Sequence, residues 1–110
     1  YRAKYPGTMG MVYTGGGYDA VNILASAWES VGDPSNFDAV GDYIRNIEYR
    51  GINGFYKIDP DTNSGVSYPN MVSDPEAGQA HLFFQVQDDE HRIIAPSPYA
   101  ETSFRLAPWM

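Results

Sequence analysis

Apolar side chains recur at helical intervals over residues 18–31. Ala20, Ile23, Leu24, Ala27, Trp28 and Val31 form one stripe, which predicts the strongest helix of the chain. Gly32 follows as its stop and Pro34 blocks resumption. Ser35 or Asn36 can cap a second helix near residues 36–47, where Phe37, Val40, Ile44 and Ile47 share a face. Gly41 weakens that helix by roughly 1 kcal/mol relative to alanine. The period then changes from helical to two. Over residues 80–87, Leu82, Phe84 and Val86 alternate with His81, Phe83, Gln85 and Gln87, which predicts a strand. A charged turn at Asp88-Asp89-Glu90 leads into a returning strand over 91–95, which Pro96 and Pro98 end. Shorter runs predict strands near 10–14 and 55–59, with a glycine turn at Gly15–Gly17 after the first and a turn bracketed by Gly51 and Gly54 before the second. Residues 59–75 read as loop or hairpin tip, and the tail carries Phe104, Leu106 and Trp109. Residues 1–7, with Arg2 and Lys4 suited to a helix C-terminus, read as the last turn of a helix whose beginning is missing.

Composition narrows the function classes. A length of 110 residues allows one small domain, and 43% hydrophobic content is too high for a disordered chain. The net charge of −7, with seven scattered basic residues, leaves no stripe able to track phosphates, so no nucleic-acid partner is expected. No apolar run approaches the ~20 residues of a membrane span. With no cysteine, the redox compartment stays open.

Gly15-Gly16-Gly17-Tyr18-Asp19-Ala20 matches the dinucleotide pattern G-x-G-x-x-G/A between an expected strand and a helix. Against it, Asp19 places negative charge in the first helical turn, where a pyrophosphate would sit. Nor does a second apolar strand end in an acidic residue about twenty positions on. Asp59 to Gly65 echoes the opening of a calcium loop, yet Ser64 stands where glycine is needed and Asn70 where the bidentate Glu belongs. His81 and His91 have no metal-site spacing. Asp88 and Asp89, adjacent in a turn, are exposed charge rather than an acid–base pair. No motif marks a nucleophile. The expectation is therefore no catalytic residue, no metal, no cofactor and no enzyme activity.

From Gly17-Tyr18-Asp19-Ala20-Val21-Asn22-Ile23-Leu24 onward the sequence resembles the substrate-binding proteins of branched-chain amino acid ABC transporters, the type I, leucine/isoleucine/valine-binding-like periplasmic family. Other landmarks agree in order. Tyr1 to Gly7 resembles the family's aromatic-basic helix end, and Gly51-Ile52-Asn53-Gly54-Phe55 through Gly65 its G-x-x-G strand and acidic turn. Phe84 to Pro96 resembles its late hairpin, although Asp89-Glu90 replaces the usual glycine, and Pro108-Trp109-Met110 a common ending.

The resemblance implies an α/β fold: the C-terminal third of a protein whose two lobes, joined by three crossovers, close around ligand. Residues 1–8 would end one lobe, 9–79 complete the other, and 80–110 cross back and form the tail. It further implies an extracytoplasmic (periplasmic) carrier of a small amino acid, amide or aromatic acid that delivers to ABC permease subunits. Tyr13, Thr14, Gly17 and Tyr18 match the segment approaching the cleft and are the candidate ligand-binding residues, with core packing the other reading of both tyrosines. Asp19 would cap or orient the helix start. A sensory domain on the same scaffold, or a nucleotide-using enzyme built on Gly15–Gly17, are the alternatives. The isolated 110 residues are expected to self-associate, since their apolar faces would lack cover.

Overall fold

The computed structural model describes residues 3–5 and 13–110. Over them the chain is mixed α/β, with two helices followed by seven strands. Helix α1 (Tyr13–Val31) and helix α2 (Phe37–Arg45) precede β1 (Glu48–Gly51), β2 (Gly54–Asp59), β3 (Ser64–Gly65), β4 (Ser67–Tyr68) and β5 (Gln79–Ala80). Those five strands make one sheet in the order β1-β2-β5-β4, with β3 also pairing β2. Only β4 and β5 run parallel. Strands β6 (Phe83–Gln87) and β7 (Glu90–Ala95) form a separate antiparallel hairpin.

Helix α1 starts earlier than the apolar pattern predicts. Tyr13 and Thr14 are helical, not strand, and Gly15–Gly17 lie inside the helix rather than in a turn. The reason is tertiary. A Cβ on Gly15 would overlap the Asn53 side chain and stand 3.2 Å from Ile52 Cγ2, so bare backbone lets the β1–β2 turn settle on the helix. That contact outweighs the roughly 1 kcal/mol that each glycine costs in a helix. Residues 10–12 of the expected first strand, and most of the expected helix end at 1–7, lie outside the described residues.

The buried row of α1 is Gly15, Asp19, Ile23 and Ala27, spaced by four. Ala20 and Trp28, expected inside, are exposed. The docked face is thus rotated away from the most apolar one. At its far end Gly32, at φ +73°, closes the helix by donating its N–H to Trp28 O at 2.8 Å, the left-handed cap expected there.

Asn36 proves to be the cap of α2, its side chain accepting from Ala39 N at 3.2 Å. The helix ends at Arg45, two residues short of expectation, because Asn46 turns the chain and bonds back to Asp42 O. Val40 is its buried residue, whereas Phe37 is exposed. Helix α1 packs on α2 and on β1, and α2 on β2.

The hairpin β1–β2 is a ladder of cross-strand pairs. Glu48 meets Lys57 in an ion pair at 2.6 Å, Tyr49 faces Tyr56 with ring centroids 6.0 Å apart, and Arg50 lies over the Phe55 ring at 5.8 Å. Such pairs each contribute about 0.2–1 kcal/mol, which holds a strand with little apolar surface. The stretch from 59 to 75, expected as loop, contains β3 and β4. Val66 ties them in: its N–H donates to Lys57 O at 2.8 Å and its carbonyl accepts from Gln79 N at 2.9 Å.

The chain leaves much of itself uncovered. Its accessible surface is 8111 Å², about 2,000 Å² more than a compact 12.2 kDa protein exposes. Its radius of gyration, 17.4 Å, compares with about 13 Å for a compact chain of this length. Among the described residues the buried apolar side chains are only Ile23, Ala27, Val40 and Val66.

Gly51→Ala tests the close fit at the turn. Its new Cβ would stand 2.5 Å from the Asp19 carboxylate oxygens, and something would have to move. The expected loss is about 1–3 kcal/mol, read as a lower urea midpoint with unchanged slope. An unaltered midpoint would contradict the fit described here.

Candidate functional site

The sequence-predicted residues sit on the first two turns of α1. Positions 13 and 17, and 14 and 18, are four apart and share faces of the helix. Thr14 is half-buried, Gly17 is exposed, and Tyr18 is 60% exposed in this chain. Beyond Gly17 a Cβ would meet nothing within 4 Å, so this face opens outward. The side chain of Tyr13 lies outside the described residues.

Asp19 points the other way and is fully buried. One carboxylate oxygen accepts from Ile52 N at 2.9 Å. The other accepts from Asn53 N at 2.9 Å and from the Tyr56 hydroxyl at 3.0 Å. Asp19 therefore caps the β1–β2 turn and not its own helix, which corrects the sequence-based role while keeping its orienting effect. Burial alone would raise its pKa. The Asn53 and Ile52 amides and the Tyr56 hydroxyl outweigh this and hold the carboxyl below its ordinary value. Tyr56 is pushed up to about 12, by burial first and then by its hydrogen bond to the Asp19 carboxylate. Sequence could have suggested the pair only through an acidic residue on the sheet-facing row of a helix, a weak signal without the fold.

This geometry removes the phosphate reading. Gly15–Gly17 are helical rather than a turn, and the acidic residue beside them is bound to a turn of its own chain. Asp59 is likewise engaged. It accepts from Asp61 N, Thr62 N and Thr62 Oγ1 at 2.9–3.1 Å, a polar turn as expected, and the Thr62 amide and hydroxyl hold its pKa low. His81 pairs through Nδ1 with Asn70 Nδ2 at 2.9 Å.

A concavity of about 940 Å³, wide open, runs from the β1–β2 turn past Gln79 and His81 to Phe83, Phe84 and Tyr99. It does not include the four predicted residues, but Ile52 and Asn53 border both it and the N-terminal turns of α1. An Arg50–Glu76 ion pair stands on its wall. The arrangement offers an aromatic and polar surface for contact.

Over its whole length the chain superposes on 30% of a crystal structure from Silicibacter pomeroyi assigned as a branched-chain amino acid ABC transporter, with a TM-score of 0.83 and 30% identity. The likeness bears out the fold read from the sequence resemblance, a piece of a type I periplasmic solute-binding protein, and is consistent with a C-terminal piece. The chain spans less than a third of that neighbour's length. No family model and no curated protein matches it.

The Asp19–Tyr56 pair makes stability depend on pH at both ends. Asp19, depressed when folded, contributes stability that is full above its unfolded value of about 3.9 and lost as pH falls through the folded one. Tyr56, raised when folded to about 12, contributes stability that is full below about 10 and lost as pH rises from 10 to 12. Urea midpoints against pH should therefore be flat across neutrality and fall on both sides. Tyr56→Phe should cost about 1 kcal/mol at neutral pH and flatten the alkaline fall. An alkaline limb unchanged in that variant would assign it to other groups.

Proposed function

We propose that this chain is the C-terminal part of an extracytoplasmic solute-binding component of an ABC importer. The observation that carries the reading is the whole-chain match to a protein assigned to branched-chain amino acid transport. In this reading residues 9–79 complete one lobe and 80–110 cross back as hairpin and tail, a division supported by the break between the five-stranded sheet and the β6–β7 hairpin. The ligand is a small amino acid or a related amide or aromatic acid, and hinge closure around it forms the state that membrane permease subunits recognise. No chemistry is performed on it. The −7 charge and the absence, among the described residues, of a helix long and apolar enough to cross a membrane suit a periplasmic carrier. Thr14, Gly17 and Tyr18, with Tyr13, form the cleft-facing edge of α1. The surface left open here is covered by the rest of the protein, and in the isolated 110 residues it drives self-association.

The test uses the longer protein containing this segment. Calorimetric titration with branched-chain, aromatic and amide-bearing amino acids should find one that saturates at a single site. Tyr18→Ala should then raise its dissociation constant roughly ten-fold or more, the cost of losing one aromatic contact. Unchanged affinity would remove Tyr18 from the cleft, and no binding by any of these solutes would sink the carrier reading.

A further inference from the structure

Asn53 precedes a glycine, whereas the other asparagines of the chain precede Ile23, Phe37, Ile47, Ser64 and Met71. The neighbour matters because asparagine is a thermolabile residue. Its side-chain carbonyl lies within reach of the next backbone nitrogen. Glycine, lacking a Cβ, neither shields that nitrogen nor restricts the backbone angles that bring it in. The attack joins Gly54 N to Asn53 Cγ and breaks the Cγ–Nδ2 bond, releasing ammonia and closing a cyclic succinimide. Water then opens the ring at either carbonyl. One opening leaves aspartate. The other leaves isoaspartate, whose main chain runs through Cγ and carries an additional methylene.

In the folded chain three contacts oppose this reaction. Ile52 and Asn53 form the two-residue loop of the β1–β2 hairpin, so Gly54, paired with Gly51, spends its N–H on the Gly51 carbonyl. Asn53 N–H donates to Asp19 Oδ2 at 2.9 Å, which fixes the backbone just before the attacking nitrogen. The half-buried Asn53 side chain lies along α1: a Cβ on Gly15 would overlap it, and one on Gly16 would stand 3.3 Å from its Nδ2. The last two contacts are made with α1 and are lost together when the helix lifts from the turn. What remains is the terminal pair of a ladder, a place where strands fray.

We propose that Asn53-Gly54 is a spontaneous modification site held latent by helix α1: ammonia loss is slow while the helix is docked and fast once it lifts. The product then fixes the open form. With isoaspartate at position 53 the loop gains a methylene, so the Ile52 and Asn53 amides no longer meet both Asp19 oxygens while Gly51 faces Gly54. The buried carboxylate loses donors that replaced its hydration, and the helix it holds loses its seat. Opening of the turn is thereby recorded as a covalent change. Every group in the reaction except water belongs to this chain, so it needs no ligand and is independent of the transport reading.

The experiment incubates the 110-residue chain at mildly alkaline pH, with and without denaturing urea, and follows each asparagine by peptide mass mapping. Without urea Asn53 should convert roughly ten-fold or more slowly than with it, since only the open fraction reacts. Asn63, in the exposed β2–β3 turn, is the internal reference and should keep its rate in the folded variants. Asp19→Asn withdraws the anion that holds the turn and should speed conversion at Asn53 roughly ten-fold or more. Should that variant fail to fold, Tyr56→Phe decides, because it removes a single donor from the carboxylate. It should convert about five-fold faster than wild type while keeping a cooperative urea transition. Equal wild-type rates with and without urea overturn the proposal, as does a folded Tyr56→Phe chain that reacts no faster at Asn53. The purified isoaspartate form should unfold at a lower urea midpoint, and an unchanged midpoint overturns the claim that the product fixes the open form.

Discussion

One buried carboxylate fixes how the helices meet the sheet. Asp19 is an anion taken out of water, and such a group persists only where donors replace its hydration. Here two turn amides and one phenol do so, and two of the three come from adjacent residues, Ile52 and Asn53. Because those N–H groups belong to the β1–β2 turn, satisfying the carboxylate sets both the height and the rotation of α1 on the sheet. The glycines on either side follow from it. Gly51 must leave room for the carboxylate, and Gly15 for the Asn53 side chain. A polar contact thereby accomplishes what apolar burial could not, since the flank of α1 that docks is not its most hydrophobic one.

The same rotation explains why so much apolar surface stays outside. With Gly15, Asp19, Ile23 and Ala27 turned to the sheet and to α2, the neighbouring row leaves Ala20 and Trp28 exposed and Leu24 half-buried. The hairpin repeats the pattern in strand form. Its glutamines hold the tail, and its phenylalanine and valine look outward. Placing polar side chains inward and apolar ones outward is stable only if the outward side is covered. The chain exposes about a third more surface than a compact protein of its mass.

The sequence made some elements legible because their signals are local. A glycine after a helical stripe, an asparagine before another, and an acidic turn between alternating runs each carry their conformational reason with them. Gly32 and Asn36 lie where expected, and the hairpin turns at Asp88–Asp89. Its first strand, expected from residue 80, nevertheless begins at Phe83, and Glu90, expected in the turn, opens β7. The start of α1 was not legible, because three successive glycines argue for a turn until the residues of a distant hairpin are known to lie against them. Strand β1 escaped because its alternation, exposed at Glu48 and Arg50 and half-buried at Tyr49, runs over only four residues, its support coming from partners nine, seven and five residues away across the turn. Strands β3, β4 and β5, at two residues each, are too short for any period to show. The fold as a whole was nevertheless readable from colinear landmarks, which tolerate such local misreadings.

For the candidate site, the consequence lies in the adjacency of Tyr18 and Asp19. Successive helical residues point about 100° apart, so a carboxylate locked into the sheet dictates where its neighbour's ring goes. Tyr18 owes its outward direction to no contact of its own, being exposed, but to the three hydrogen bonds made by the residue after it. Gly17, one step earlier, keeps the approach to that ring open. In the proposed carrier, such a division would leave the receiving group held by backbone placement while its own side chain remains unspent. The glycines that first suggested a phosphate site lie inside the helix, and the acid that argued against one pins that helix to the β1–β2 turn.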